Sequence, residues 1–536
     1  MAGGGPVAPA GKGGEDLNHH ALEQLPGLAY CINDNPRWPE AIVLAFQHYL
    51  TMVGTAVLIP LLIFRADTGG TPFYTHDLVR VIQTVLFVSG INTFIQTTLG
   101  TRLPAVMGNS FYFLAPTISI ITSPSLAYID DPHERFVRSM REVQGAYIAG
   151  SALNIILGFS GLWGIAARFT SPIVVAPVTA LVGLGLFERG FPGVAKCVEV
   201  GIPALLVILL FSQYLKHFHY RDVHFFERFP IIVGVTLVWA YAAILTVAGA
   251  YDHASTLGQL NCRTDRSGLV SAAPWVRVPY PLQWGAPTFD AGNAFAIMIA
   301  AFAALVESTG GFYAISRLAG ATPPPPHVIS RGIGWQGIGV LLNGVFGTFT
   351  GATVAPENAG LIGLTRVGSR RVIQISSAFM IFFALFGKFG GIIASIPQPI
   401  VAAILCVTFG TVVGTGISQL QFANMNMTRN IFIIGVSIFL GLSVPEYFRE
   451  FTVRAGHGPV HTGARWFNDI VNGFFSAPII VALIVSAFLD NTLTRHVSKK
   501  DRGMLWMRKF RVFNYDPRNL EFYRLPMGLH KFFPPS

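Results

Sequence analysis

Three residues, Glu307, Glu357 and Asn358, ask most directly for a chemical role. Glu307 is the one charged residue between Ala291 and Ser316, 17 residues into that 26-residue stretch. On a helix rising 1.5 Å per residue this is about 24 Å from the start. If the stretch crosses lipid, an acid so deep costs about 2.5–3.5 kcal/mol on insertion scales unless it is protonated or faces a polar cavity. A structural acid hydrogen-bonded to Ser308 or Thr309 is the plain reading, and a site residue the better one. Glu357 and Asn358 follow Pro356 and precede Gly360 and Gly363, so exposed backbone groups can complement their side chains. Their plain role is a helix start, with Asn capping and Glu at the positive dipole end. Gln47 and His48, about six residues inside an uncharged stretch, need partners in lipid, and an acid on the segment of Glu357 is one candidate. Phe111 follows Gly108, Asn109 and Ser110, and is either core filling or a face on which a flat ring stacks.

The elements that must hold these residues are set by composition. The 536-residue chain is 52% hydrophobic and 12% charged, about half the charge of a soluble chain. A span needs about 20 apolar residues, so there is room for about fourteen. The expectation is an all-α polytopic membrane protein, which excludes a soluble enzyme. Uncharged stretches lie at 41–64, 81–101, 143–167, 169–187 and 229–251, with shorter ones at 103–121 and 200–215. After an irregular polar loop over 252–290, a second set of seven lies at 291–316, 332–350, 353–365 and 372–386, twice within 389–445, and at 470–489.

Two segments, Leu103–Phe111 and Val354–Gly360, are short and interrupted by Gly and Pro. Each is third in its set, about 250 residues apart. Broken helices at corresponding positions of two halves predict a seven-plus-seven inverted repeat, with the binding site where they meet near the bilayer midplane. Four prolines, Pro323–Pro326, predict a stiff connector.

An even number of spans puts both termini on one side. Ten basic residues between Arg495 and Lys531 predict that this side is cytosolic. They account for much of the +10 net charge without nucleic acid, since a basic juxtamembrane cluster sits beside anionic lipid. The loop carrying Arg135, Arg138 and Arg141 falls outside by this count, against the same rule. Residues 1–38 are expected to form a disordered cytosolic tail. The aromatics Trp506, Phe510, Phe513, Phe522 and Tyr523 are expected to form an interfacial anchor. Arg370 and Arg371 read as a membrane-boundary cluster. The scattered Cys31, Cys197, Cys262 and Cys406 indicate neither a disulfide framework nor a zinc site, and His457 with His461 lacks a third metal ligand. No bound cofactor or metal is expected.

Two buried carboxylates repel an anion but offer acceptors to a flat heterocycle with several N–H donors, a description that a nucleobase meets. Acids in a site opened alternately to each side can also load a proton or cation.

At these residues the sequence resembles the nucleobase-ascorbate transporter family, also called nucleobase-cation symporter family 2. The run Glu357-Asn358-Ala359-Gly360 through Thr365-Arg366 is similar to its signature. Gln47-His48, Gly100 to Pro104, and Glu307-Ser308-Thr309-Gly310 are similar to further family motifs, and Glu521 to Pro526 resembles the plant branch. The resemblance implies a core domain of spans 1–4 and 8–11 (residues 39–168 and 289–392). It implies a gate domain of the remaining spans (169–288 and 393–489), between a tail at 1–38 and a basic cytosolic tail at 490–536. It further implies a homodimer in which the core moves like an elevator against the gate. Glu307 and Glu357 would bind the base, backbone near Asn358 and Ser110 would add to it, and Phe111 would stack. Gln47 and His48 would orient the broken helices, with Asn109, Gly360, Thr365 and Arg366 in support.

Asn109 departs from the Ala or Gly common there, and Glu357 resembles uracil-type members and plant xanthine and uric-acid carriers. Ascorbate-carrying animal members have Pro at that position. The expected function is proton-coupled nucleobase symport at a plant plasma membrane. The alternatives are sodium-coupled ascorbate transport, an anion exchanger of the same architecture, or an intramembrane enzyme using His48 with a Glu.

Overall fold

The computed structural model describes residues 24–68, 75–123, 126, 129, 131–168, 171–215, 225–265, 273–388, 392, 396–493, 498–504 and 517–531. Every expected membrane segment corresponds to a helical element. Spans 1 and 2 are Trp38–Thr68 and Thr75–Thr98. Span 3 is a strand, β1 (Met107–Asn109), followed by a 3-10 turn Phe111–Phe113 and the helix Leu114–Ile121. Spans 4 to 7 are Pro132–Phe159, Pro172–Leu184, Val198–Leu209 extended by a π-turn to Tyr214, and Pro230–Val247. Spans 8 and 9 are Ala291–Leu318 and Pro326–Phe346. Span 10 repeats the form of span 3, with strand β2 (Ala352–Val354) followed by the helix Pro356–Thr365. Spans 11 to 14 are Arg370–Leu385, Gln398–Ser418, Thr428–Ala455 and Pro478–Thr492. Among the described residues seven helical segments are long and apolar enough to cross a membrane by length and composition, spans 5 and 6 counting as one, Pro172–Tyr214.

Local chemistry sets several of these boundaries. Spans 5, 7, 9, 10, 12 and 14 each carry Pro in the first turn, where its missing N–H costs nothing. Asp290 caps span 8 by accepting from Asn293 N at 2.9 Å, and Asp131 caps span 4 by accepting from His133 N at 3.1 Å. Span 9 ends at Gly347, whose φ of 71° suits a residue without Cβ. Pro323–Pro326 is buried and extended into the start of span 9, with Pro325 at φ −58° and ψ 151°, the polyproline geometry expected.

The helices pack in two groups. Span 4 lies against spans 8 and 9, and span 11 against spans 1 and 2. Spans 5 and 6 lie against span 12, span 14 against spans 5 and 13, and span 7 against span 6. The groups meet where span 12 crosses the helix of span 10 and where span 5 crosses span 8.

Several expectations change. The tail is ordered over residues 24–37: Tyr30 pairs with Val367, Ile32 is buried in the core, and Gln24 donates to Gly320 O at 2.6 Å. Residues 1–23 lie outside the described part. Arg135, Arg138 and Arg141 are within the first turns of span 4 rather than in a loop, and Arg141 donates to Ala286 O at 2.7 Å. That contact puts this end of span 4 on the same side as the 252–290 loop, as the four spans between them require. The loop itself contains a helix, Thr256–Cys262. Cys262 forms a disulfide with Cys197, 65 residues earlier, so the expected absence of a disulfide was wrong. Scattered spacing hid it because the two cysteines meet only when the helix Thr256–Cys262 packs beside the turn Ala195–Cys197 before span 6.

The C-terminal segment differs most. Phe522 and Tyr523 are buried on the helix Pro517–Tyr523 and do not form an interfacial anchor. Two buried arginines hold its last carbonyls, Arg370 reaching Phe522 O at 2.8 Å and Arg331 reaching Tyr523 O at 3.0 Å, and the half-buried Arg102 reaches Arg524 O just beyond it. Tyr523 donates in turn to Thr322 O. Arg370 is therefore a buried partner of backbone, whereas Arg371 lies 4.0 Å over the ring of Trp38. Trp506, Phe510 and Phe513 lie outside the described residues.

Candidate functional site

Pro104 and Pro356 each interrupt a chain that must still satisfy its backbone at membrane depth. The two broken segments do so by pairing with each other. Strands β1 and β2 run antiparallel with Met107 opposite Val354, Gly108 opposite Thr353 and Asn109 opposite Ala352. Ala355 N adds a bond to Val106 O at 2.9 Å and Ser110 N one to Gly351 O at 3.3 Å. The pairing joins the third element of each half, and each strand hands the chain to a helix that starts beside it.

Glu307 lies against this junction. Its Oε2 accepts from Ser110 Oγ and from Thr353 Oγ1, both at 2.9 Å, so one carboxylate bridges both broken segments. Ser308 and Thr309 are not its partners. Ser308 accepts from Val354 N at 3.0 Å, and Thr309 bonds its own helix at Leu305 O and accepts from Trp163 Nε1. Glu357 stands in the first turn of the span 10 helix at the positive end of its dipole. Thr55 on span 1 donates to its Oε1 at 2.6 Å. Both acids are 2% exposed and neither forms an ion pair among the described residues.

His48 and Gln47 are split by the fold. Asn358 Nδ2 donates to His48 O at 2.9 Å and lies 3.1 Å from its Nδ1, tying span 1 to span 10. The partner of His48 is thus the amide and not the neighbouring acid. Gln47 faces elsewhere, donating to Arg228 O at 3.1 Å and accepting from Ile232 N at 3.2 Å. Among the described residues Asn358 Oδ1 is buried without a hydrogen-bond partner, as are both polar atoms of the Asn109 side chain. Phe111 is half-buried against Leu186, Leu405 and Phe409. A Cβ added to Gly360 would stand 2.2 Å from Thr408 O, so glycine lets spans 10 and 12 touch backbone to backbone.

Thr365 and Arg366 lie at the other end of the span 10 helix, about 12 Å from Glu357 at 1.5 Å per residue. Thr365 bonds Leu361 O, and Arg366 pairs with Glu227 at 3.2 Å. Residues missed by sequence reasoning are Thr55, Thr353 and Arg189, whose guanidinium carbon is 5.0 Å from the Phe111 ring centroid. Thr55 had a signal: it follows His48 by seven residues, two turns along the same helix face. His457 and His461 lie with ring centroids 4.6 Å apart and planes tilted by 30° on an exposed loop. Cys197, Glu199 and Cys262 come together, but their two sulfurs are joined to each other.

An apolar helical chain with two halves joined at broken segments, and polar groups gathered at that joint, is a multi-pass membrane protein, and its relatives make it a transporter and not an enzyme. More particularly, a model described as a permease family matches residues 39–450, and the chain belongs to that family, among the nucleobase-ascorbate transporters. Nucleobase-ascorbate transporter 2 of Arabidopsis thaliana is 58% identical over 522 residues, 97% of this chain and 99% of its own length. Nucleobase-ascorbate transporter 6 of the same plant is 56% identical over 536 residues, covering all of both chains. Among solved structures, SLC26A9 aligns with a TM-score of 0.45 at 12% identity over 75% of this chain and 62% of its own. The transmembrane domain of the cyanobacterial bicarbonate transporter BicA aligns at 0.40 and 14%, over 77% and 98%.

Proposed function

We propose that this protein carries a nucleobase of the xanthine, uric acid or uracil type into plant cells by proton symport. The observation that carries this reading is the pair of buried carboxylates, Glu307 and Glu357, each held by hydroxyl donors and by no cation among the described residues. Two acceptor groups that keep spare lone pairs suit a planar ring with two or more N–H donors. Asn358 Oδ1 offers a third acceptor beside them, and Phe111 a face for stacking. The same acids can take up a proton when the site opens to one side and release it to the other.

The two packing groups support a core of spans 1–4 and 8–11 and a gate of spans 5–7 and 12–14. The site lies where they meet, so movement of the core along the gate would carry Glu307, Glu357 and bound base together. Gly360 against Thr408 and Phe111 against Leu405 are then sliding contacts. The names of the relatives support the substrate class. We assign the plasma membrane, cytosolic termini and a homodimer to the same reading.

The test is uptake of radiolabelled xanthine into liposomes holding purified protein, with unlabelled uric acid, uracil, adenine and ascorbate as competitors. Accumulation driven by an inward proton gradient and lost in Glu307→Gln is expected. Absence of base uptake, or dependence on sodium alone, would overturn it.

A further inference from the structure

We infer that Arg189 is a specificity-determining residue at the rim of the site, selecting heterocycles that present carbonyl or anionic oxygens over those that present amino groups. This rests on the nucleobase reading above. Arg189 closes the 3-10 turn Phe187–Arg189 after span 5, and its guanidinium lies over the ring of Phe111. Among the described residues its side chain makes no hydrogen bond or ion pair. The adjacent acid, Glu188, is engaged by Arg449. A half-buried guanidinium held on an aromatic face therefore keeps its N–H donors uncommitted.

The position gives those donors a purpose. Ser110, which donates to Glu307, immediately precedes Phe111, so the chain runs within one residue from the Glu307 contact to the ring over which Arg189 lies. The wall beside this ring is apolar, built by Leu186, Leu405 and Phe409, where a charge is less screened than in water. A flat ring that takes the Phe111 face moves the guanidinium from above the ring to the edge of the bound base, which then turns its N–H edge to the carboxylates and its opposite edge to Arg189. Carbonyl or deprotonated oxygens on that edge meet donors. An exocyclic amino group meets donors with a donor, an unpaired arrangement that excludes by repulsion. Oxidised purines such as xanthine and urate fit both sides, whereas adenine fits neither well.

The experiment measures xanthine uptake kinetics, and inhibition by urate, adenine and uracil, in cells lacking their own base carriers. It compares wild type, Arg189→Ala and Arg189→Lys, each normalised to surface protein by a fluorescent fusion. For Arg189→Ala the xanthine KM and urate inhibition constant should rise about tenfold, the size of a desolvated cation–π or ionic contact. Vmax per surface copy should change less than KM. The adenine constant should stay or fall, and Lys should restore part of the urate preference. Equal weakening of all ligands, or a Lys variant identical to Ala, overturns the role of Arg189 while the nucleobase reading stands. If wild type takes up no base, the nucleobase reading itself fails and this inference with it.

Discussion

Ser110 and Glu307, 197 residues apart, meet at 2.9 Å across the joint of the two halves, the hydroxyl donating to the carboxylate. With Thr353 on the opposite broken segment doing the same, the orientation of one acid depends on both halves being in register.

Ser110→Ala removes one of these two donors and leaves the other. A hydrogen bond to a charged or buried acid contributes about 1.5–3 kcal/mol, so the KM for base should rise tenfold or more, with Thr353→Val giving a similar loss. Uptake kinetics per surface copy check this, and an unchanged KM in both variants would show that Glu307 is not held by these groups in the working state.

Thr55→Val should weaken substrate recognition through Glu357 while leaving the fold intact, because it removes a 2.6 Å bond without changing volume. The expected signature is an altered KM at an unchanged melting temperature. A collapse in surface expression would instead make Thr55 structural.

Gly360→Ala places a methyl 2.2 Å from the Thr408 carbonyl, where backbone must move. Overpacking costs about 1–3 kcal/mol, so the detergent melting temperature and uptake should both fall. Gly414→Ala on span 12, with nothing within 4 Å of the added carbon, is the control and should melt as wild type does.

The Cys197–Cys262 disulfide closes a 65-residue separation, worth about 4 kcal/mol in the chain-entropy account. Cys197→Ser with Cys262→Ser should lower the melting temperature, and dithiothreitol should do so in wild type only. After reduction, a membrane-impermeant maleimide should label these two cysteines on intact cells. Labelling only after permeabilisation would invert the proposed orientation.

Removing residues 517–536 should take from Arg331 and Arg370, buried at 3% and 9% exposure, one carbonyl each, leaving Arg331 on Gly100 O and Arg370 on Arg102 O. A hydrogen bond to a charged group contributes about 1.5–3 kcal/mol, so the truncated protein should melt lower and aggregate in fluorescence-detected size exclusion. Tyr523→Phe, which loses only the bond to Thr322 O, should be milder.

Much of this was legible in the chain and some was not, for reasons visible at particular residues. Spans 1 and 8 were plain because lipid demands long uncharged stretches, and Glu307 stood out against one. The broken segments were marked by Pro104, Gly108, Pro356 and Gly360. Gln47 and His48 read as a pair but separate in space, since neighbours on a helix point about 100° apart. Phe522 and Tyr523 read as interfacial because an aromatic beside arginines looks the same whether it meets lipid or a buried pocket.

The sequence by itself determined that this is a helical membrane protein of two sevenfold sets with two acids and an amide near its broken segments. Hydropathy and helix breaking act locally, over a turn or a span, and leave their mark in residue order. Only tertiary structure decided which groups those acids bond, that β1 pairs with β2, that Cys197 meets Cys262, and that Arg189 lies over Phe111. Those contacts join residues tens to hundreds of positions apart, and a Thr, Cys or Arg carries no local trace of the partner that folding brings to it.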